Sequence, residues 1–239
     1  FAGIPWPMLV HPDDWGYGDE GEIIYGGYLT NRMMKGHDLT RKGNPFIKHG
    51  KAPIDFLNKL QRVQYCVNRH VLQVADEMRS RGRVIGKFIP ISPAYKPPRP
   101  ANADDNPESN LAWRRAMAES HNADRLNFKR SVRTRTQLEA AEKFKDEKFY
   151  LCWSYDYRGR AYPIPAFLTP QDTDFGKALI RFADESSVTD EAELWLSFQV
   201  ATSFGLDKAT LEDRHQWVSE NHELITKVAT DPVRYLSDW

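Results

Sequence analysis

Five consecutive residues, Asp156-Tyr157-Arg158-Gly159-Arg160, combine a carboxylate, two guanidinium groups and a glycine in a pattern suited to a polyanion. Arginine presents a planar fork that grips phosphate oxygens two at a time. Gly159 permits a positive φ or a close backbone approach, so the chain can turn sharply while keeping both guanidinium groups near each other. Asp156 can fix one of them by a charge-assisted hydrogen bond and leave the other aimed outward. Tyr155, Tyr157 and Tyr162 add surfaces for stacking on sugars or bases. A surface turn with a structural Asp–Arg pair fits the same residues, and the window alone leaves both readings open.

A second candidate is electrostatic. The formal net charge is zero, yet positions 1–135 hold 22 Lys/Arg against 14 Asp/Glu, and positions 136–239 hold 11 against 19. The excess is densest where Arg114, Arg115, Arg125, Lys129, Arg130, Arg133 and Arg135 face only Glu119 and Asp124. Such a stripe can neutralise phosphates and release counterions, and a solvated helix face is the ordinary alternative. Other chemistries find little support. Gly26-Gly27 lacks the Lys-Ser/Thr of a phosphate loop, and nucleophile elbows and His-Glu-x-x-His zinc helices are absent from the sequence. His37-Asp38 lies in a polar stretch, and Asn221-His222-Glu223 suits helix packing or capping better than base catalysis.

The elements that must position these groups can be read coarsely. Residues 1–50 are rich in Gly, Pro and aromatics and should be mostly irregular, with a short strand within Glu22–Leu29. Pro53 suits a first helical turn, and Leu57, Leu60, Val63, Val67, Val71, Val74 and Met78 predict one long amphipathic helix ending near Ser80 and Gly82. Five prolines from Pro90 to Pro100 exclude regular structure from the linker at 83–106. Asn106-Pro107-Glu108 starts a basic helix, and Thr136-Gln137-Leu138-Glu139 reads as a further start with a capping box. The two antiparallel helices joined by the linker would form a projecting arm.

Phe149–Trp153 reads as a buried strand running into the arginine window. Beyond Asp174 the pattern is helical again, with Leu194, Phe198 and Ala201 closed by Gly205, then Val218, Leu224, Ile225 and Val228 ending before Asp231-Pro232. Apolar residues make up 41% of the chain, enough for a core, and no apolar run is long enough for a membrane helix. Cys66 and Cys152 stand apart with no metal-ligand spacing, so a disulfide framework is not expected and a reducing cytoplasm is. Phe1 opens the chain without a Met or a readable targeting signal, as in a processed or truncated chain.

Taken in order, these residues resemble the phage- and mitochondrial-type single-subunit DNA-dependent RNA polymerases. Tyr155 to Tyr162 is similar to that family's Asp-x-x-Gly-Arg motif. Pro7-Met8-Leu9-Val10 with Trp15 and Gly26-Gly27-Tyr28 resembles the segment leading into the thumb. Leu57-Asn58, Gln61, Tyr65, Asn68 and Val71-Leu72 resemble the start of the thumb helix, with Tyr65 where the family usually has Trp. Lys177 follows at the familiar spacing, and Glu220-Asn221-His222-Glu223 matches a late helical segment. The likeness covers nearly the whole chain. Each motif is weak alone, and their collinearity is what makes it specific.

The resemblance implies an α+β, mainly α chain forming part of a right-hand polymerase fold. Its parts would be an irregular platform (1–50), thumb helices (51–148), a palm segment with the arginine turn (149–178) and a helical palm insertion (179–239). Arg158 and Arg160 would hold template or hybrid backbone, with Gly159 shaping the turn and Asp156 bracing it. Tyr162 would pack beside the template and Lys177 would add charge near the active site. Arg125, Lys129, Arg130 and Arg133 would be the thumb surface facing the RNA–DNA hybrid.

The family's metal-binding aspartates, nucleotide-binding Lys and ribose-discriminating Tyr belong to motifs beyond Trp239. This chain would therefore hold no metal and be inactive alone. Mg²⁺, needed for two-metal nucleotidyl transfer, would be liganded by a second chain, as in the split heterodimeric polymerases of some phages, in the cytoplasm of an infected bacterium. A non-catalytic nucleic-acid-binding or virion-associated protein reusing the thumb scaffold is the alternative.

Overall fold

The computed structural model describes residues 5–17, the backbone of 23 and 24, 51–156 and 158–239. Gly26-Gly27-Tyr28, the ends of the strand expected within Glu22–Leu29, His37-Asp38 and Tyr157 lie outside the described residues. The chain divides into two compact units, 1–183 and 184–239. Helix and strand are mixed, with helix predominant.

In the first unit, β1 (Gly16–Tyr17) pairs antiparallel with β2 (Ile23–Ile24). Then follow α1 (Lys51–Gln61), β3 (Gln64–Val67) and α2 (Arg69–Ser80). The single long helix expected from Leu57 to Ser80 is thus interrupted by a strand. Val63, Val67 and Val71 are spaced for one helix face, but a strand explains Tyr65 and Val67 equally well, because both are buried at a period of two. Tertiary pairing decides between them. β3 is the central strand of an antiparallel sheet ordered β4-β3-β7, where β4 is Lys148–Tyr150 and β7 is Ile180–Phe182. Tyr65 stacks between Phe149, at 6.2 Å, and Phe182, at 5.6 Å, so aromatic cross-strand pairs hold the register. Asn68 then restarts the helix by accepting a hydrogen bond from Val71 N at 3.3 Å.

α3 (Pro107–Phe144) is one helix of 38 residues, capped where Asn106 accepts from Glu108 N and Ser109 N. The second start expected at Thr136 does not occur. Thr136 Oγ1 instead donates to Val132 O at 2.9 Å inside the helix, because Ser131, Thr134, Gln137, Leu138 and Ala141 are buried on one face and hold the turns together. The neighbour of α3 along most of its length is not a second helix but the proline-rich linker. Thr134 Oγ1 accepts from Ile89 N, Asn127 Nδ2 donates to Ser92 O, Ser120 Oγ to Tyr95 O and Trp113 Nε1 to Pro97 O, all within 2.8–3.1 Å. The helix contacts fall seven residues apart while the linker advances by two or three, in the opposite direction. Seven helical residues rise about 10.5 Å, and three polyproline-type residues about 9.3 Å. The two repeats match, so a segment without a hydrogen-bonding ladder of its own docks along α3 on side chains.

After β4, Leu151 and Cys152 are buried and lead into β5 (Trp153–Tyr155), which pairs with β6 (Ala161–Pro163). The one strand expected over Phe149–Trp153 is therefore two strands serving different sheets. α4 (Asp174–Ala178) precedes β7. One buried amide ties these layers. Gln61, 0% exposed, accepts from Trp15 Nε1 at 3.1 Å and Trp153 N at 3.2 Å, and donates to Asp13 O at 3.1 Å. Asn58, one turn earlier on α1, bonds both the N–H and the C=O of Trp15.

In the second unit, α5 (Asp190–Phe204) starts on a Thr189 cap and ends at Gly205, whose φ of +124° suits the chain reversal there. α6 (Leu211–Glu220) and α7 (His222–Thr230) share Asn221 as C-cap and N-cap, dividing what the apolar spacing suggested as one helix. Buried Arg214 donates to Thr202 Oγ1 at 2.9 Å and Asp207 O at 2.6 Å, bracing the α5–α6 corner.

Gln61→Leu keeps the volume but takes the Gln61 partner from the buried Trp153 N–H and from the Asp13 carbonyl, while Trp15 Nε1 keeps its bond to Trp153 O at 3.1 Å. At about 1–3 kcal/mol for each such group, unfolding in urea should show a loss of several kcal/mol, whereas surface Lys59→Leu on the same helix should change little.

Candidate nucleic-acid interface

The arginine window is the loop of the β5–β6 hairpin. Tyr155 pairs with Ala161, and Asp156 N bonds Arg160 O at 2.9 Å to close the loop. The Asp156 carboxylate organises what lies between. Its Oδ1 accepts from Arg158 N and Arg160 N, both at 2.9 Å, and its Oδ2 accepts from Arg160 Nε at 3.1 Å. Gly159 N returns to Asp156 O at 3.0 Å. Gly159 has φ +76° with open space where a Cβ would stand, so backbone conformation rather than room calls for glycine. The Arg160 N–H, followed by the Arg158 N–H and the Arg160 side chain, holds the Asp156 carboxyl below its ordinary pKa.

Pinned through Nε, Arg160 keeps its two terminal nitrogens without a partner among the described residues. Its guanidinium carbon lies 5.9 Å from the Tyr162 ring centroid, and Tyr162 is 37% exposed. Arg158 is exposed on the same loop. The expected stacking role of Tyr155 does not hold. That side chain is buried, its hydroxyl donates to Pro53 O at 2.9 Å, and burial pushes its pKa up, so it anchors the hairpin to α1.

On α3, Arg125, Lys129 and Arg130 are exposed and form no ion pair among the described residues. Arg135 is paired with Glu139 at 3.6 Å and lies 4.7 Å from the Phe128 ring centroid. Arg133 is committed to Asp172, a carboxylate 1% exposed at its side chain. Lys177, exposed on α4, pairs with solvent-facing Asp174 at 3.5 Å. The hairpin thus carries Asp156, Arg158, Gly159 and Arg160 in its loop and Tyr162 on β6, while the basic helix is a separate surface of the same unit.

Sequence reading missed Asp172, Gln137, Gln171 and Gly176. Asp172-Thr173-Asp174 carries a legible signal only for the Thr173 cap, which Gly176 N confirms at 3.2 Å.

The two carboxylates of this region, Asp156 and Asp172, are already engaged by N–H donors. Asp156 is occupied by three N–H donors, and Asp172 by Arg133, Gln137 and Thr173 N. Among the described residues no group of three or more His, Cys, Asp or Glu could hold a metal ion. No described helix is long and apolar enough to cross a membrane.

Comparison with known proteins places the chain first in a class. A family described as DNA-dependent RNA polymerase matches residues 187–239. The likeness extends well beyond that segment. T7 RNA polymerase of Escherichia phage T7 is 31% identical over 237 residues, 95% of this chain and 26% of that protein. The mitochondrial DNA-directed RNA polymerase of Neurospora crassa is 27% identical over 98% of this chain and 17% of its own length. The DNA-directed RNA polymerase of Enterobacteria phage K11 is 28% identical over 95% of this chain and 25% of its own length. The chain is therefore a relative, along nearly its whole length, of the phage- and mitochondrial-type single-subunit RNA polymerases. It spans about a quarter or less of these relatives.

A depressed carboxyl pKa gives a contribution present above the ordinary carboxylate range and lost as pH falls through the lowered value. A carboxyl-detected NMR titration should show Asp156 with a midpoint below the usual value of about 3.9, and the Arg158 and Arg160 amide signals should move with it. An Asp156 midpoint at or above that value would contradict the hydrogen-bonded turn.

Proposed function

We propose that this chain is a subunit or fragment of a DNA-directed RNA polymerase that holds template DNA and the RNA–DNA hybrid, while a second chain supplies the metal-binding catalytic residues. The observation that carries the reading is the Asp156 turn, which spends one carboxylate on three N–H donors and leaves the terminal nitrogens of Arg160 for phosphate. In this reading residues 51–148 act as the thumb, 149–178 as a palm segment and 179–239 as a palm insertion. Arg158 and Arg160 bind the nucleic-acid backbone, Gly159 sets the turn, and Tyr162 packs beside the template. Lys177 adds charge, and Arg125, Lys129 and Arg130 contact the hybrid.

The chain acts by positioning and electrostatics rather than by bond-making. Asp156 and Asp172, already engaged by N–H donors, support Mg²⁺ ligands that come from elsewhere than this site. The two phage relatives support the cytoplasm of an infected bacterium as its setting. A non-catalytic module is not favoured, since the curated relatives above are polymerases matched over nearly all of this chain.

Co-expression with the chain bearing the metal aspartates should yield RNA synthesis that neither shows alone. Synthesis by the isolated chain, or by no pairing, would reject the division of labour. In the reconstituted pair, Arg160→Ala should cut synthesis at least tenfold, the loss expected for about 1.5–3 kcal/mol of charge-assisted hydrogen bonding, with assembly intact by gel filtration. Reversing charge at Lys129 and Arg130 should weaken template binding and flatten its dependence on salt. An unchanged salt slope would return that face to solvent.

A further inference from the structure

The Gln171-Asp172 step touches two surfaces at once. Gln171 Nε2 donates to Ala161 O at 2.9 Å, at the residue after Arg160. The next side chain turns inward, 1% exposed, and Asp172 accepts from Arg133 and Gln137 on α3 and from Thr173 N. Gln137 Nε2 lies 2.9 Å from Asp172 Oδ2 and 3.1 Å from Thr173 Oγ1. Gly176 provides the room: a Cβ there would overlap the Asp172 carboxyl and stand 2.6 Å from Gln137 Nε2. This is a built pocket for one carboxylate. A buried charge persists only where it is compensated, and Arg133 is its countercharge among the described residues.

The geometry points to Asp172 as a positioning residue that withdraws Arg133 from the phosphate-facing set and locks the basic helix to the arginine turn. The inference rests on the hybrid-gripping reading above and takes Arg133 out of the hybrid-facing set that the family resemblance implied. Arg133 and Arg160 are both half-exposed and both paired, but the Asp172 side chain is 1% exposed where that of Asp156 is 19% exposed, so only Arg133 is held by a carboxylate that has no water to turn to. Releasing Arg133 would also strand the Asp172 charge in the interior. Arg125, Lys129 and Arg130 carry no such commitment among the described residues. Asp172 reaches α3 while its neighbour Gln171 reaches β6, so the pair sets the separation at which both surfaces meet one nucleic acid.

The test is binding of an RNA–DNA hybrid duplex by the full chain over a salt series, with folding followed by circular dichroism. Each cation that neutralises a phosphate adds about 0.9 to the slope of log K against log salt. K129Q should lower that slope by about one such step, while R133Q should leave it at the wild-type value. D172N should steepen it by about one step as Arg133 comes free, and the R133Q/D172N double variant should restore the wild-type slope. If R133Q flattens the slope as K129Q does, Arg133 is a phosphate ligand and the proposal is overturned. A folded D172N with unchanged slope overturns it too. Where D172N fails to fold, R133Q alone decides. A wild-type chain whose hybrid binding ignores salt, or ignores K129Q, rejects the hybrid-gripping function itself and takes this role with it.

Discussion

The first unit depends on a single amide. Gln61 sits at the end of α1 with no solvent contact, and three groups from two distant segments converge on it. Its carbonyl takes the Trp15 indole and the Trp153 amide, and its NH₂ returns to the backbone beside Trp15. A buried polar group left without partners is costly, so these segments can pack there only in the arrangement that satisfies all of them. Asn58 repeats the device one turn earlier by bonding both backbone groups of Trp15. The strand so fixed, β5, carries the arginine hairpin. The candidate site therefore inherits its position from a buried hydrogen-bond knot at the start of its own strand.

The arm is held by a different principle. A helix of 38 residues with weak amphipathic character would not be stable on its own face alone. The linker contributes no ladder of its own, yet its carbonyls and amides are met by side chains recurring at every second turn of α3. Prolines suit this arrangement because they hold an extended backbone in advance and have no N–H to leave unpaired. The strap takes one flank of the helix and leaves Arg125, Lys129 and Arg130 to solvent.

Charge in this protein is sorted by partner rather than by count. Arg133, Arg135 and Lys177 are each matched to a carboxylate, and such pairs contribute little net field. Arg160 is half committed, held through Nε by Asp156 with its other end open. A net charge of zero thus coexists with an uneven distribution of paired and unpaired cations.

Local chemistry was legible in the sequence. Asp156 and Gly159 announce a turn because a carboxylate two residues ahead of an amide and a glycine free to adopt positive φ are short-range requirements. Asn106 and Gly205 mark helix ends for the same reason, and the prolines of 83–106 exclude regular structure locally. What the sequence left undecided depends on distant partners. Val63 to Val71 satisfy a helical period and a strand period together, and only pairing of β3 with β4 and β7 selects the strand. Thr136 and Glu139 form a capping pattern that the buried face of α3 overrides. Tyr155 reads as a stacking surface until the hairpin buries it against Pro53. Arg133 looks like its basic neighbours, and only the tertiary fold brings Asp172, 39 residues away, to neutralise it. Sequence determined where the chain turns, caps and carries charge; the fold decided which charges remain free, because neutralisation is a matter of proximity in space rather than along the chain.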